Sequence, residues 1–189
     1  DNSKEHSVVR RLVFILFSMV FVLQSCEFKL KPFDITEGEH QRVEVSRYDR
    51  LESQYLTTSD FSALQQMNTD YPMETRTLIE DVLKLGEVDD PEINRKFLSF
   101  YQDSVLQTLI SDAESKYANI DDINASLNAA FDNLKRLLPG MVIPTVYMQI
   151  GALDQSIIIG NGTIGISIDK YLGEDYPLYR KYSVSYTHL

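Results

Sequence analysis

One cysteine, three histidines and a late group of carboxylates are the residues in this chain whose types invite chemistry. Cys26 is the only cysteine, so no intramolecular disulfide can form. A zinc site needs several nitrogen or sulfur ligands in fixed geometry, and His6, His40 and His188 lack ligand spacing. The sequence contains no His-Glu-x-x-His, no Gly-x-Ser-x-Gly elbow and no Gly-Lys-Ser/Thr phosphate loop. Asp169, Glu174 and Asp175 form the best remaining site, because carboxylates suit a hard cation such as calcium. Their spacing matches no EF-hand loop, so they read as an acidic, solvated loop. Tyr171, Tyr176, Tyr179 and Tyr182 could line a groove or a partner surface, although aromatics beside a strand end ordinarily pack the core or its rim. Asp103-Ser104-Val105 fits a short Asp-Ser/Thr-apolar pattern that is glycosylated on exported proteins, here inside a predicted helix. No catalytic residue, metal or cofactor is expected.

Cys26 gains meaning from what precedes it. Arg10 and Arg11 are followed by residues 12–23, apolar except for Ser18, and then by Leu23-Gln24-Ser25-Cys26. A cationic flank, an apolar stretch and a small-residue cleavage site are the parts of a secretory leader. Twelve helical residues reach roughly 18 Å at ~1.5 Å each, whereas a hydrocarbon core is about 30 Å thick. The stretch is therefore short for a permanent span. The arrangement resembles a lipobox, which implies that Cys26 takes a thioether-linked diacylglycerol, that cleavage precedes it and that the new amine is acylated, for instance with palmitate. Several acyl chains anchor firmly, where one alone is marginal.

The chain has 189 residues and a net charge of −10. Without Lys4, Arg10, Arg11, Asp1 and Glu5 of the leader, 15 basic and 26 acidic residues remain, a net of −11. That balance repels phosphate backbones and argues against nucleic acid as a partner. It also disfavours broad docking on anionic lipid, so the anchor must supply membrane attachment. Residues 1–25 read as the leader and 26–41 as a tether. Residues 42–182 read as one domain large enough for a real core. Residues 183–189 look like an adapter-derived tail, with genuine coding sequence expected to stop near Tyr182 in a C-terminally truncated fragment.

Within the domain, residues 42–46 alternate around Val43 and Val45 as a short strand would. A short helix is predicted over 48–56. Ser59 or Asp60 can cap the next, with Phe61, Leu64 and Met67 on one face and Tyr71-Pro72 as its stop. Residues 75–85 carry Leu78, Ile79, Val82 and Leu85 at helical spacing. Asp90-Pro91 signals another helix start, with Ile93, Phe97 and either Phe100 or Tyr101 facing inward. Asp103 restarts or bends that helix, and Val105, Leu109, Ala113 and Tyr117 continue the period. Asp121 or Asp122 can cap the clearest amphipathic helix, whose apolar face reads Ile123, Leu127, Ala130, Phe131, Leu134, Leu137 and Leu138. Leu134 is expected in the core. Pro139-Gly140 ends it. Residues 142–150, 156–159 and 163–168 then read as strands, with Gly160-Asn161-Gly162 as a hairpin turn. Helices first and a small antiparallel sheet afterwards predict an α+β fold.

The segment after the hairpin is Gly165-Ile166-Ser167-Ile168-Asp169-Lys170-Tyr171-Leu172-Gly173-Glu174-Asp175-Tyr176-Pro177-Leu178-Tyr179. A strand running into a Tyr-Leu-Gly box, an acidic residue, Tyr-Pro and a further Tyr resembles the gliding-motility lipoprotein B (GldB) family of Bacteroidetes. Val43-Glu44-Val45-Ser46-Arg47-Tyr48-Asp49 is similar to that family's opening strand and aromatic-Asp turn. Asp90-Pro91, Leu137-Leu138-Pro139 before the Pro144 strand, and the lipoprotein leader agree with it. The resemblance spans about residues 42–182. It implies a non-catalytic, lipid-anchored protein of the gliding and associated secretion apparatus. The expected partners are the membrane, through the N-terminal lipid, and other envelope proteins. Asp169, Tyr171, Leu172, Gly173, Tyr176 and Pro177 form its partner-binding or structural motif. Glu27-Phe28-Lys29 lacks an acidic surface-export run, which favours a periplasm-facing attachment. The alternative it implies is a zinc-peptidase-like enzyme whose His-Glu-x-x-His helix lies past residue 189.

Overall fold

Tyr48, Asp49, Glu52, Ser53, Tyr55 and Leu56 share the buried face of one helix, and the domain is assembled around it. The computed structural model describes residues 42–160 and 162–179. The segments expected to be leader, tether and tail, with Cys26, Tyr182 and the three histidines, lie outside them.

That helix, α1 (Tyr48–Thr58), ends where Ser59 turns left-handed and donates its N–H to Tyr55 O. Asp60 caps α2 (Phe61–Asp70) by accepting from Ser62 N at 2.8 Å. Ala63, Leu64 and Met67 are its buried side chains. Phe61 was expected with them but is 69% exposed. It is the first helical residue, so its ring reaches only the edge of Tyr55, 6.3 Å away between centroids. Pro72 opens α3 (Pro72–Arg76).

The chain continues into a π-helical segment (Thr77–Val82) where the spacing predicts an ordinary helix. Leu83 N bonds Leu78 O at 2.8 Å, one residue beyond the α-helical step. The wider turn accompanies burial of Leu78, Ile79 and Val82 together. The helix predicted at Asp90-Pro91 begins later, as α4 (Ile93–Phe100). Asp90 Oδ1 accepts from Glu92 N at 2.8 Å, which makes Pro91 part of a preceding turn. Tyr101, rather than Phe100, joins Ile93 and Phe97 inside. Of the two expectations for Asp103, a restart holds: it caps a new helix, α5 (Ser104–Lys116), accepting from Val105 N at 2.8 Å.

The last helix, α6 (Asp121–Leu137), has Ile120 at its cap position; Asp121 is already helical. Asn119 Oδ1 takes Asp121 N at 2.7 Å instead of an aspartate capping it. Phe131 is its buried side chain, and Leu134, Leu137 and Leu138 are exposed, which corrects the expectation for Leu134. The core covers only the first three turns of the stripe, so the periodicity locates a face without showing how far along the helix it is used.

Strands β1 (Thr145–Gln149), β2 (Ile157–Ile159) and β3 (Thr163–Ser167) follow, in the order β1-β3-β2. The β2–β3 hairpin is antiparallel as predicted, with Ile158 opposite Gly165. β1 joins β3 in parallel, Tyr147 opposite Gly165, so the small sheet is mixed. The predicted 42–46 strand contracts to one parallel bridge between Ser46 and Tyr147. Side-chain amides of α6 replace the missing strand partner: Asn128 both accepts from Val43 N (2.7 Å) and donates to Val43 O (2.8 Å). Asn124 Oδ1 accepts from Val45 N at 3.0 Å. The α+β class therefore holds.

Candidate functional site

The sheet face beneath α1 carries Tyr147 and, two residues on, Gln149. Tyr48 sits edge-on to Tyr147, with centroids 6.2 Å apart, and Glu52 lies one helical turn further along. Glu52 is wholly buried. Its Oε2 accepts from Ile150 N at 2.8 Å. Tyr101 Oη donates to Ile150 O at 2.6 Å and lies 3.5 Å from Glu52 Oε1. The Tyr101 hydroxyl thus stands between the Ile150 carbonyl and the Glu52 carboxyl, with the shorter contact to the carbonyl. Burial raises the Glu52 carboxyl well above the ordinary range, and the charges of Asp169 and Asp49 add to that. Burial likewise raises the Tyr101 hydroxyl, and pushes that of Tyr147 up to about 12.

A second buried carboxylate meets the same loop from the 3-10 turn after β3 (Ile168–Tyr171). Asp169 Oδ1 accepts from Gly151 N at 2.9 Å and Oδ2 from Leu153 N at 2.6 Å. Its pKa is raised by burial, against the backbone N–H groups of Gly151, Leu153 and Asp169 itself that lower it. Lys170 Nζ donates to the carbonyls of Leu153 (3.1 Å) and Asp154 (3.0 Å). The clamped segment is strained, with Ala152 at φ 51° and Leu153 at φ 64°, a region that side chains other than glycine seldom occupy. A Cβ on Gly151 would stand 2.7 Å from Ser167 Oγ, so a larger residue there would require the Ser167 side chain to move. Beside the clamp, Ser53 Oγ and Gln149 Oε1 are buried without a hydrogen-bond partner.

Asp169 does not converge with Glu174 and Asp175, which are exposed. The expected solvated loop thus holds for those two, while Asp169 is corrected to a core residue: backbone N–H groups at 151 and 153 replace its water. Among the described residues, no group of three or more His, Cys, Asp or Glu is placed to hold a metal ion.

The Tyr-Leu-Gly box forms a corner. Gly173 has φ 131°, Leu172 is half-buried against the core, and Tyr171 is exposed. Tyr179 Oη accepts from Leu172 N at 2.8 Å and donates to Asp169 O at 2.5 Å. Tyr117 Oη donates to Tyr171 O at 2.6 Å, and Tyr176 Oη to Asp112 Oδ2 at 2.7 Å. Pro177 is exposed at the start of a final helical turn. Tyrosine hydroxyls thus fasten the corner to α5 and to the Asp169 clamp.

Residues 31–188 match the protein family described as gliding motility protein GldB. The chain belongs to the GldB family. No curated protein and no solved structure matches it.

In this GldB-family chain, the sequence reading missed Glu52, Gln149 and the 150–154 loop. One signal for Glu52 was present: Tyr48, Glu52 and Tyr55 fall on one helical face, so a carboxylate shares the stripe of two core tyrosines. Nothing local marks the loop, because its left-handed residues are alanine and leucine. Asp49, in the first turn of α1, is buried and gripped by Arg47, Nε to Oδ1 at 2.9 Å and Nη2 to Oδ2 at 2.7 Å.

Proposed function

We propose that this gliding-motility-associated protein is a lipid-anchored component of the cell envelope, facing the periplasm, that works by binding partners rather than by catalysis. The observation that carries the anchoring is the Leu23-Gln24-Ser25-Cys26 sequence behind a short apolar stretch, in a chain of the GldB family. Support for a binding role comes from the buried carboxylates. Both oxygens of Asp169 and Oε2 of Glu52 receive backbone N–H groups of one loop. Carboxylates buried and turned to backbone N–H groups in this way are spent on holding the loop, which favours a structural over a catalytic use. These groups set the shape of the domain, and the surface around Tyr171 and Pro177 is what a partner meets.

The test uses the intact gene product purified with and without chelator, alongside crosslinking in the envelope. The proposal expects crosslinks to envelope proteins that disappear with Cys26→Ser. Chelator-sensitive hydrolysis of peptides by the wild type would favour the peptidase-like alternative.

A further inference from the structure

The backbone from Val45 back to Val43 runs beside α6 toward that helix's C-terminal end. Val45 N meets Asn124 at 3.0 Å, and Val43 N meets Asn128 at 2.7 Å. Two extended residues advance about 7 Å and four helical residues about 6 Å, so the two segments keep step. The first described residues therefore lie along α6 and run antiparallel to it, Val43 nearer than Val45 to its C-terminal end.

That end of the helix carries exposed apolar side chains. Leu134 is 39% exposed, Leu137 76%, Leu138 56% and Val142 85%. Two cations, Lys135 and Arg136, stand among them, and Arg136 bonds the neutral side chain of Asn133. The sheet register adds Ile159, 81% exposed, at the same end of the sheet that Val142 leads into. Val142 comes three residues before Thr145, Thr145 pairs with Thr163, and Ile159 faces the adjoining Ile164.

We propose that this end of the domain, the last turn of α6 with Val142, docks on an anionic lipid surface. Large aliphatic side chains at one tip, with lysine and arginine between them, suit the boundary between headgroups and acyl chains. The rest of the molecule is acidic, so anionic lipid repels it and orients the tip toward the bilayer. The inference deepens the anchoring reading, and rests on it for proximity to lipid. Anchor and tip then act as two attachment points that fix the domain's orientation, where a single tether would leave it free to rotate.

The chain contains no tryptophan, so one introduced tryptophan is an unambiguous reporter. Full chain carrying Leu137→Trp is reconstituted into phosphatidylcholine vesicles with and without phosphatidylglycerol, both with brominated acyl chains. Blue-shifted, quenched emission is expected with phosphatidylglycerol, reduced several-fold when Lys135→Glu and Arg136→Glu are added. Met73→Trp, at another exposed position (64%), should keep its water-exposed emission in both. A Leu137→Trp signal that is blue but unquenched would show that protein covers the tip, whether a second copy or another segment, and would overturn the proposal. So would a red, unquenched signal, or equal quenching at position 73. Fatty-acid labelling of Cys26 is read on the same preparations. Label without quenching refutes the docking face alone, and quenching without label refutes the anchor alone.

Discussion

Glu52 Oε2 lies 2.8 Å from the backbone nitrogen of Ile150, a residue 98 positions away in the chain. This contact ties the first helix to the loop that leaves β1, and Tyr101 closes it from a third element. Glu52→Ala removes the acceptor and leaves the Ile150 N–H buried without a partner. A loss of ~1–3 kcal/mol is expected, the usual penalty for an unsatisfied buried donor, measurable by denaturant unfolding. Glu52→Gln keeps an acceptor for that N–H and should lose much less.

The same residue sets a pH dependence. Its folded-state pKa is raised, so the folded protein binds the proton more tightly than the unfolded chain does. The associated stability is complete below the ordinary carboxylate range and falls as pH rises toward the raised value. The wild-type melting temperature should therefore decline from mildly acidic toward neutral pH, and Glu52→Gln should flatten the decline. Asp169, raised in the same direction, leaves part of the slope in place.

The Tyr-Leu-Gly corner separates backbone from side-chain effects. Gly173 has φ 131°, and the nearest atom to a Cβ there is Lys116 Nζ at 3.9 Å, so space is available and conformation is the constraint. Gly173→Val should cost about 1 kcal/mol or more, whereas the exposed Glu174→Ala should stay within about 0.5 kcal/mol. A Glu174→Ala protein that melts normally but fails to restore function in an intact gene would identify the corner as a partner site.

Helix α6 yields a paired comparison. Phe131→Ala should destabilise by ~3–5 kcal/mol, as large-to-small changes in a core do. Leu134→Ala, on the exposed continuation of the same stripe, should cost under about 1 kcal/mol. Equal losses would mean that the last turn is covered.

These contrasts show where the sequence was informative. Helix starts at Asp60 and Asp103, the hairpin of 156–168 and the positive φ of Gly173 follow from local chemistry, and local chemistry is what a sequence displays. The strand at 42–46 failed because its backbone partners are the amides of Asn124 and Asn128, some 80 residues away. Leu134 failed because periodicity reports a face and not what covers it. The parallel β1–β3 pairing and the loop clamped by Glu52 and Asp169 depend on long-range contacts between segments with no local mark.

Attachment through a lipidated Cys26 is tested by feeding labelled fatty acid to cells that express the wild type and Cys26→Ser. The wild type should take label and appear as the processed form in the membrane fraction, while Cys26→Ser should take none and remain an unprocessed precursor. Equal labelling of the two proteins would rule out Cys26 as the lipidated residue.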